Sequence, residues 1–168
     1  EPGNPQEGYS PSPQERQSWL QISYMKEAYH TMGPKFTLGW MAEALYSSKN
    51  FSENYTATMM QAGEFAPTPH SKLMYNEAFR ANQYVAAGIK PIYVLNDMFQ
   101  FRTEFYGFTP IFPIKKNALN KAYYGKAFSR FEYMGEVSVI CHLPFGAISA
   151  YVNHYSSPRR EWNVGMTI

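Results

Sequence analysis

The chain has 168 residues, the size of a single domain. Aromatic residues make up 17% of it and charged residues also 17%, whereas soluble globular domains usually carry roughly a quarter charged residues. The sequence has no apolar run near the roughly 18 residues that a transmembrane helix needs, so that class is excluded. The formal net charge is only +2 and there is no long basic run, which argues against nucleic acid as a partner.

The first segment, residues 1–17, contains four prolines, two glycines and no aliphatic side chain. Such a segment cannot bury apolar surface, so we expect a Pro-rich linker or mobile loop there. The fold is expected to begin near Ser18, with residues 18–168 forming one antiparallel β-barrel or a segment of one. The chain starts at Glu1 with neither an initiator Met nor a signal-peptide pattern, so we expect a processed or truncated part of something larger.

The clearest strand signal is a period of two from Lys35 to Tyr46. Apolar residues occupy alternate positions, including Phe36 and Trp40, and polar residues or glycine occupy most of the positions between them. Successive side chains of a strand point to opposite faces, so this pattern predicts one apolar face and one polar face.

The same alternation recurs further along the chain. Clear candidate strands are Phe99 to Gly107, Arg130 to Leu143 and Trp162 to Ile168; weaker candidates are Trp19 to His30, Tyr55 to Gln61, Tyr84 to Leu95 and Ala147 to Tyr155. A short helix is an alternative to an irregular loop over Ser71 to Phe79. The pattern predicts an all-β protein of about eight or nine strands.

The connections between candidate strands are alternately short and long. Tight turns are expected at Thr31 to Pro34, at Asn96-Asp97 and at Pro144 to Gly146, and long polar or Pro-bearing excursions at Ser47 to Asn54, Gly63 to Asn82 and Phe108 to Ala127. Outer-membrane barrels have this asymmetry, with short periplasmic turns and longer outer loops. The sequence therefore predicts an antiparallel up-and-down meander that forms a membrane β-barrel or part of one.

Alternation does not by itself say which face points outward, because soluble and membrane barrels both alternate. The polar positions here offer few of the Lys and Glu residues that a soluble exterior needs. We therefore expect the apolar face to contact lipid, with aromatic girdles at the two interfaces. The candidate lipid-facing or girdle residues are Phe36, Trp40, Phe99, Phe101, Phe131, Tyr133, Val139 and Trp162.

Charged residues on the polar face are candidates for an ion network inside the barrel. Arg102 and Glu104 are predicted to form a lumenal ion pair, and Glu132 and Glu136 lie on a candidate strand expected to be nearby. The network either neutralises charges that cannot face lipid or forms a polar path or a lock for a loop folded into the lumen.

The residue patterns of common enzymes are missing from the sequence. There is no Gly-x-Ser-x-Gly nucleophile elbow, the single aspartate, Asp97, lies in a turn, and the four histidines are scattered without ligand spacing. Cys141 is the only cysteine, and its apolar neighbours favour an inert role. We expect no catalytic residue, no cofactor and no metal site in this chain.

Two strings give a family resemblance. The run from Asn76 to Gly88, Asn-Glu-Ala-Phe-Arg-Ala-Asn-Gln-Tyr-Val-Ala-Ala-Gly, and the final Trp-Asn-Val-Gly-Met-Thr-Ile resemble the C-terminal, surface-antigen type barrel of bacterial patatin-like phospholipases. The resemblance implies a bacterial outer-membrane location and a lipid acyl hydrolase domain in the parent chain. That domain would hold the family's Ser/Asp dyad, which has no counterpart here. A full barrel of the family has about sixteen strands, so closure requires the remaining half of the barrel, a second copy, or closure of this chain by itself.

The same resemblance gives Arg80 a role. In the wider barrel superfamily, a loop arginine from a Val-Arg-Gly-aromatic motif folds into the lumen, and the nearest match here is Phe79-Arg80-Ala81-Asn82, with alanine in place of glycine. By this resemblance Arg80 would pair with a lumenal carboxylate, for which Glu104, Glu132 and Glu136 are the candidates.

Three functions remain open on the sequence alone. The first is an outer-membrane β-barrel segment that anchors or helps to export a patatin-like lipid hydrolase and is not itself catalytic. The second is a soluble, lipocalin-like barrel that binds an apolar small molecule. The third is a surface or adhesive β protein whose aromatic residues contact partners.

Overall fold

The computed structural model describes residues 18–156 and 162–168. The predicted linker, 1–17, lies outside the described residues. The strands are β1 (Gln21–Thr31), β2 (Phe36–Ser47), β3 (Gly63–Glu64), β4 (Arg80–Ala81), β5 (Gln83–Val94), β6 (Phe99–Pro110), β7 (Ile114–Lys116), β8 (Ala122–Tyr124), β9 (Glu132–Leu143), β10 (Gly146–Tyr155) and β11 (Trp162–Thr167); the helices are α1 (Tyr55–Gln61) and α2 (Pro69–Leu73), with a 3-10 turn at Glu77–Phe79.

Seven long strands form one antiparallel sheet in the order β1-β2-β5-β6-β9-β10-β11. Every long strand pairs with the next long strand in the chain. The predicted all-β, antiparallel up-and-down meander is therefore confirmed. In the described residues, β1 and β11 have a neighbour on one side only, so the sheet has two unpaired edges.

Seven of the eight candidate strands are the seven strands of this sheet, and the prediction for Tyr55 to Gln61 is wrong. That segment is α1, whose first turn is capped by Asn54: the Asn54 side chain accepts a hydrogen bond of 2.8 Å from the backbone N–H of Ala57. An Asn cap followed by good helix formers such as Ala57 and Met59 favours a helix over the alternation of Tyr55, Ala57 and Met59. The main sheet thus has seven strands rather than eight or nine.

The alternation of short and long connections is present in the structure. Tight turns join β1 to β2, β5 to β6 and β9 to β10, whereas residues 48–82 and 111–131 join β2 to β5 and β6 to β9. Since the strands are antiparallel, all the tight turns lie at one end of the sheet. We call the other end, which carries the two long segments, the long-loop end.

The two faces of the sheet differ in what covers them. Residues 48–82 fold back onto one face, which we call the covered face, and we call the opposite face the bare face. A cluster of buried residues fills the covered face at the long-loop end: Met41, Leu45, Phe65, Ala78, Phe79, Ala81, Tyr84, Ala86, Tyr106, Phe108, Met134 and Tyr155. This cluster is the principal core of the protein.

Phe65 and Phe79 of the inserted segment pack within that core. The Phe65 ring stacks on Phe108 at 5.8 Å between centroids and meets Tyr84 and Tyr106 edge-on at 6.1 and 6.0 Å. Edge-on and offset contacts are the favoured arrangements of aromatic rings. The segment therefore belongs to the packed interior.

No helix among the described residues has both the length and the apolar character that crossing a membrane would require.

Candidate functional site

The bare face is apolar along its whole width. The predicted lipid-facing or girdle residues all lie on it: Phe36, Trp40, Phe99, Phe101, Phe131, Tyr133, Val139 and Trp162. Phe101 and Val139 are directly opposite each other on β6 and β9, and Phe105 stacks on Tyr133 at 6.0 Å. The exposed large apolar side chains form a continuous surface rather than scattered single residues, and such surfaces mark interaction sites.

Charged side chains are sorted between the two faces. The seven long strands contain eight Lys, Arg, Asp or Glu residues, and the pairing registers place seven of them on the covered face: Glu27, Glu43, Lys90, Arg102, Glu104, Glu132 and Glu136. The exception is Lys26 on β1, whose Nζ lies 5.8 Å above the centre of the Trp40 ring on the bare face. An indole face attracts a cation, which partly offsets its exposure there.

The ions of the covered face are arranged mostly in neighbouring pairs. Lys90 forms an ion pair with Glu27. Arg102 and Glu104, the pair that the sequence indicates, lie with Nε 2.8 Å from Oε1, and Tyr106 donates a hydrogen bond to the same carboxylate. On β2, Glu43 accepts a hydrogen bond of 2.5 Å from the hydroxyl of Tyr84. The network satisfies most of the charges that the strands bury.

Glu136 stands out from this network. It is 4% exposed and lies directly opposite Glu104 on one side and Asn153 on the other. Its Oε2, and both side-chain polar atoms of Asn153, are buried with no hydrogen-bond partner. Among the described residues Glu136 forms no ion pair, and a buried carboxylate beside a second carboxylate is energetically costly.

Arg80 is held inside the inserted segment. Its Nη2 lies 2.5 Å from Oε2 of Glu64 across the short β3-β4 pair, and its Nη1 donates to the carbonyl of Met60 at 3.1 Å. The guanidinium also lies 4.8 Å from the ring of Tyr75. The expectation that Arg80 pairs with Glu104, Glu132 or Glu136 is corrected by this geometry. Glu64 is the cross-strand neighbour of Arg80 on the β3-β4 pair, and its carboxylate forms the ion pair with the guanidinium.

The remaining candidate carboxylate, Glu132, has partners of its own at the long-loop end. Ser156 donates a hydrogen bond of 2.6 Å to it, and Nε of Arg130 lies 3.9 Å away. Arg130 also donates to the backbone carbonyl of Ala78 at 3.1 Å, which ties the start of β9 to the inserted segment. The structure therefore brings Arg102, Glu104 and Glu136 together and places Arg80 and Glu132 in separate contacts.

The helix α2 joins the inserted segment to β10. Thr68 and Ser71 form a capping box at its start, and Nδ1 of His70 lies 2.9 Å from the hydroxyl of Tyr155. Burial among aromatic rings, including Tyr151 at 5.6 Å, lowers the pKa of His70 below its usual value, because the charged form loses hydration.

The other residues with reactive side chains are dispersed. His30, His142 and His154 lie on β1, β9 and β10, and His154 packs between the rings of Tyr133 and Trp162. Cys141 is a free thiol at an intermediate level of exposure. Within the described residues, no three or more His, Cys, Asp or Glu side chains lie close enough to hold a metal ion.

Several residues that hold the covered face together carry no signal in the sequence pattern. Glu64, Phe65 and Tyr155 each form a principal contact of the inserted segment. A signal for α2 was present: Thr68 is a good helix cap, and Pro69 directly after it is favoured at the first helical position.

Comparison of the chain with models of known protein families, with curated proteins and with solved structures finds no match.

Proposed function

We propose that the chain is a wall segment of a bacterial outer-membrane β-barrel, with the bare face against lipid and the inserted segment 48–82 filling part of the lumen. The observation that carries the proposal is the sorting of charge: seven of the eight ionic strand residues lie on the covered face. Membrane barrels have this arrangement because hydrocarbon accepts apolar side chains and rejects ions.

The packing of the covered face supports this function over that of a soluble, lipocalin-like carrier. A carrier needs an enclosed apolar cavity for its ligand. Here the long-loop half of the covered face is occupied by Phe65 and Phe79 from the chain itself. A carrier would also place its ions on the uncovered side, where water is.

The proposed parent function is that of anchoring or helping to export a patatin-like lipid hydrolase, and the segment itself has no catalytic role. Support for this part is the resemblance of the Asn76 to Gly88 and Trp162 to Ile168 strings to the barrels of that family. The hydrolase domain would then be a partner within the parent chain.

The unpaired edges of β1 and β11 define what else the barrel requires. Backbone groups cannot remain unpaired in hydrocarbon, so both edges must pair with a strand. The candidates are the remaining half of the barrel, a second copy of this chain, and closure of β1 on β11 within the chain. In a Cys141→Ser background, Ile22→Cys on β1 combined with Val164→Cys on β11 would give disulfide-linked dimers with a second copy, an intramolecular disulfide with closure of the chain by itself, and neither product with the other half.

Partition between water and membrane tests the proposal. The purified chain is refolded with and without phosphatidylcholine vesicles, and the vesicles are floated on a density gradient after a carbonate wash. We expect β-sheet circular dichroism and co-flotation with the vesicles. A folded, monomeric protein that stays in the aqueous fraction would refute the proposal, and an extractable fatty acid in that fraction would favour the carrier.

A further inference from the structure

The connection 111–131, which we call the basic segment, carries an unusual concentration of positive charge. It contains Lys115, Lys116, Lys121, Lys126 and Arg130, and the chain has no Asp or Glu between Glu104 and Glu132. The five cations exceed the net charge of the whole chain, +2, so the rest of the protein carries a formal charge of −3.

The structure presents Lys115, Lys116 and Lys121 on a fixed hairpin, and Lys126 follows shortly after its second strand. Strands β7 and β8 pair from Ile114 opposite Tyr124 to Lys116 opposite Ala122. The side chain of Asn117 closes the turn by accepting hydrogen bonds from the backbone N–H groups of Leu119 and Lys121 at 3.0 and 2.8 Å. Ile114 is buried against Met59 and Ala62 of the inserted segment. One side of the hairpin is therefore anchored to the protein.

The lysines themselves point into solvent. All four are exposed, and among the described residues none of them forms an ion pair. A lysine with a purely structural role usually forms an ion pair or covers an apolar neighbour. These lysines form no ion pair among the described residues, so their ammonium groups are accessible to an external anion. Their common location at the long-loop end gives this end of the molecule a positive surface.

Apolar side chains accompany the lysines. Leu119, at the hairpin tip, is 78% exposed, and Phe128 is 63% exposed. Phe128 also has a positive φ of 51°, a conformation that a bulky residue seldom adopts and that costs free energy. The protein thus maintains a strained backbone that displays an aromatic ring to solvent.

The geometry points to the occupant of this surface. We propose that the basic segment binds the phosphate headgroups of anionic lipids, with Leu119 and Phe128 entering the boundary between headgroups and acyl chains. Cationic side chains mixed with exposed apolar ones are the combination that binds an anionic membrane surface. Phe131, at the end of the segment, lies on the bare face beside Gly107, so the basic segment continues directly into the proposed lipid-facing surface.

This inference rests on the proposed membrane location, and the experiment separates the two. The full chain is inserted into nanodiscs of phosphatidylcholine alone or of phosphatidylcholine mixed with phosphatidylglycerol, and insertion is scored first by β-sheet circular dichroism and co-elution. The rate of lysine acetylation is then measured residue by residue with mass spectrometry. Failure to enter either disc overturns the proposed function and this inference with it; entry followed by equal rates in both discs overturns this inference alone.

The expected result is specific to the basic segment. Acetylation of Lys115, Lys116, Lys121 and Lys126 should be at least about fivefold slower in the anionic discs, since each lysine near an anionic surface gains about that factor in affinity, and high salt should restore the rate. Lys72, exposed on α2 at the same end, is the internal control and should react equally in both discs. Equal slowing at Lys72 would show only a general surface potential and would overturn the proposal.

Two matched double variants complete the test. Lys115→Gln/Lys116→Gln removes two charges from the hairpin, and Lys35→Gln/Lys72→Gln removes two exposed charges elsewhere. The first should abolish most of the salt-sensitive rise in unfolding midpoint that anionic discs give to the unmodified protein, and the second should retain it. The proposal fails if the first variant keeps the full rise.

Discussion

Phe105 and Tyr106 are adjacent on β6, yet Phe105 is 49% exposed and Tyr106 is wholly buried. The difference extends over both faces of the sheet. The covered face has a packed aromatic core and a network of mostly paired ions. Within residues 18–156 and 162–168, the bare face has no ion apart from Lys26 and no covering segment. The difference indicates that, in this part of the chain, the contacts that stabilise the sheet lie on the covered face.

The core of the covered face should be the most sensitive region. Phe65→Ala removes the ring that contacts Tyr84, Tyr106 and Phe108, and it should lower the free energy of unfolding by about 3–5 kcal/mol. Chemical denaturation of the inserted protein measures the loss. Phe145→Ala, in the exposed β9-β10 turn, is the control and should have almost no effect. A small loss at Phe65 would show that residues 48–82 are not part of the core.

On the bare face, the largest expected effect comes from a charge. Val139→Arg should destabilise the protein in a bilayer by about 2–4 kcal/mol, because the guanidinium would face hydrocarbon. The same free energy is measured for Phe145→Arg, in the turn, where the cost should be close to zero. If the two variants are equally stable, the bare face does not contact lipid.

Replacement of Arg80 tests whether this side chain holds the inserted segment in place. Arg80→Ala removes the ion pair with Glu64 and leaves the carbonyl of Met60 without its donor, so we expect a loss of about 2 kcal/mol. Protease digestion should cleave residues 48–82 faster in the variant. Unchanged digestion and unchanged stability would remove Arg80 from any role in holding the segment.

Two carboxylates that face each other should respond with opposite signs. Glu104→Gln weakens the pair with Arg102 and should cost about 1–3 kcal/mol, whereas Glu136→Gln removes an unpaired buried charge and should stabilise by about 1 kcal/mol. Each variant serves as the control for the other in a denaturation experiment. Losses of equal size in both would mean that Glu136 has a cation partner after all.

The smallest expected effect is that of pH on α2. The pKa of His70 is lowered in the folded protein, so the unfolded chain binds more protons and the contribution to stability is complete above the unfolded pKa of about 6.5 and falls as the pH drops below it. Hydrogen exchange in α2 should therefore become faster in mild acid. His70→Gln should remove this pH dependence, and its persistence in the variant would assign it to another group.

The strands could be predicted because their signal is local. In β2, apolar and polar or small residues mostly alternate at consecutive positions around Trp40. Residues that are neighbours in the sequence therefore suffice to identify the apolar face of the strand. The inserted segment could not be predicted in the same way: Phe65 packs on Phe108, and the sequence has no periodicity that relates the two. The prediction of a strand over Tyr55 to Gln61 is wrong because a short alternation of apolar and polar residues is also compatible with a helix.

In the candidate site, too, contacts between residues close in sequence could be predicted and contacts between distant residues could not. The pairing of Arg102 with Glu104 could be predicted because residues two apart on a strand share a face. The opposition of Glu104 and Glu136 depends on the register between β6 and β9, and the Arg80 partner depends on a two-residue ladder, β3 with β4. Neither register can be derived from residue types alone.

The grouping of the turns at 32–35, 95–98 and 144–145 at one end of the sheet has a consequence for the proposed barrel. These turns are short, so they would project little beyond the bilayer on their side, and the bulky segments 48–82 and 111–131 would both lie on the other side. The proposed wall would therefore be asymmetric about the membrane plane, with most of its extramembrane mass on one side.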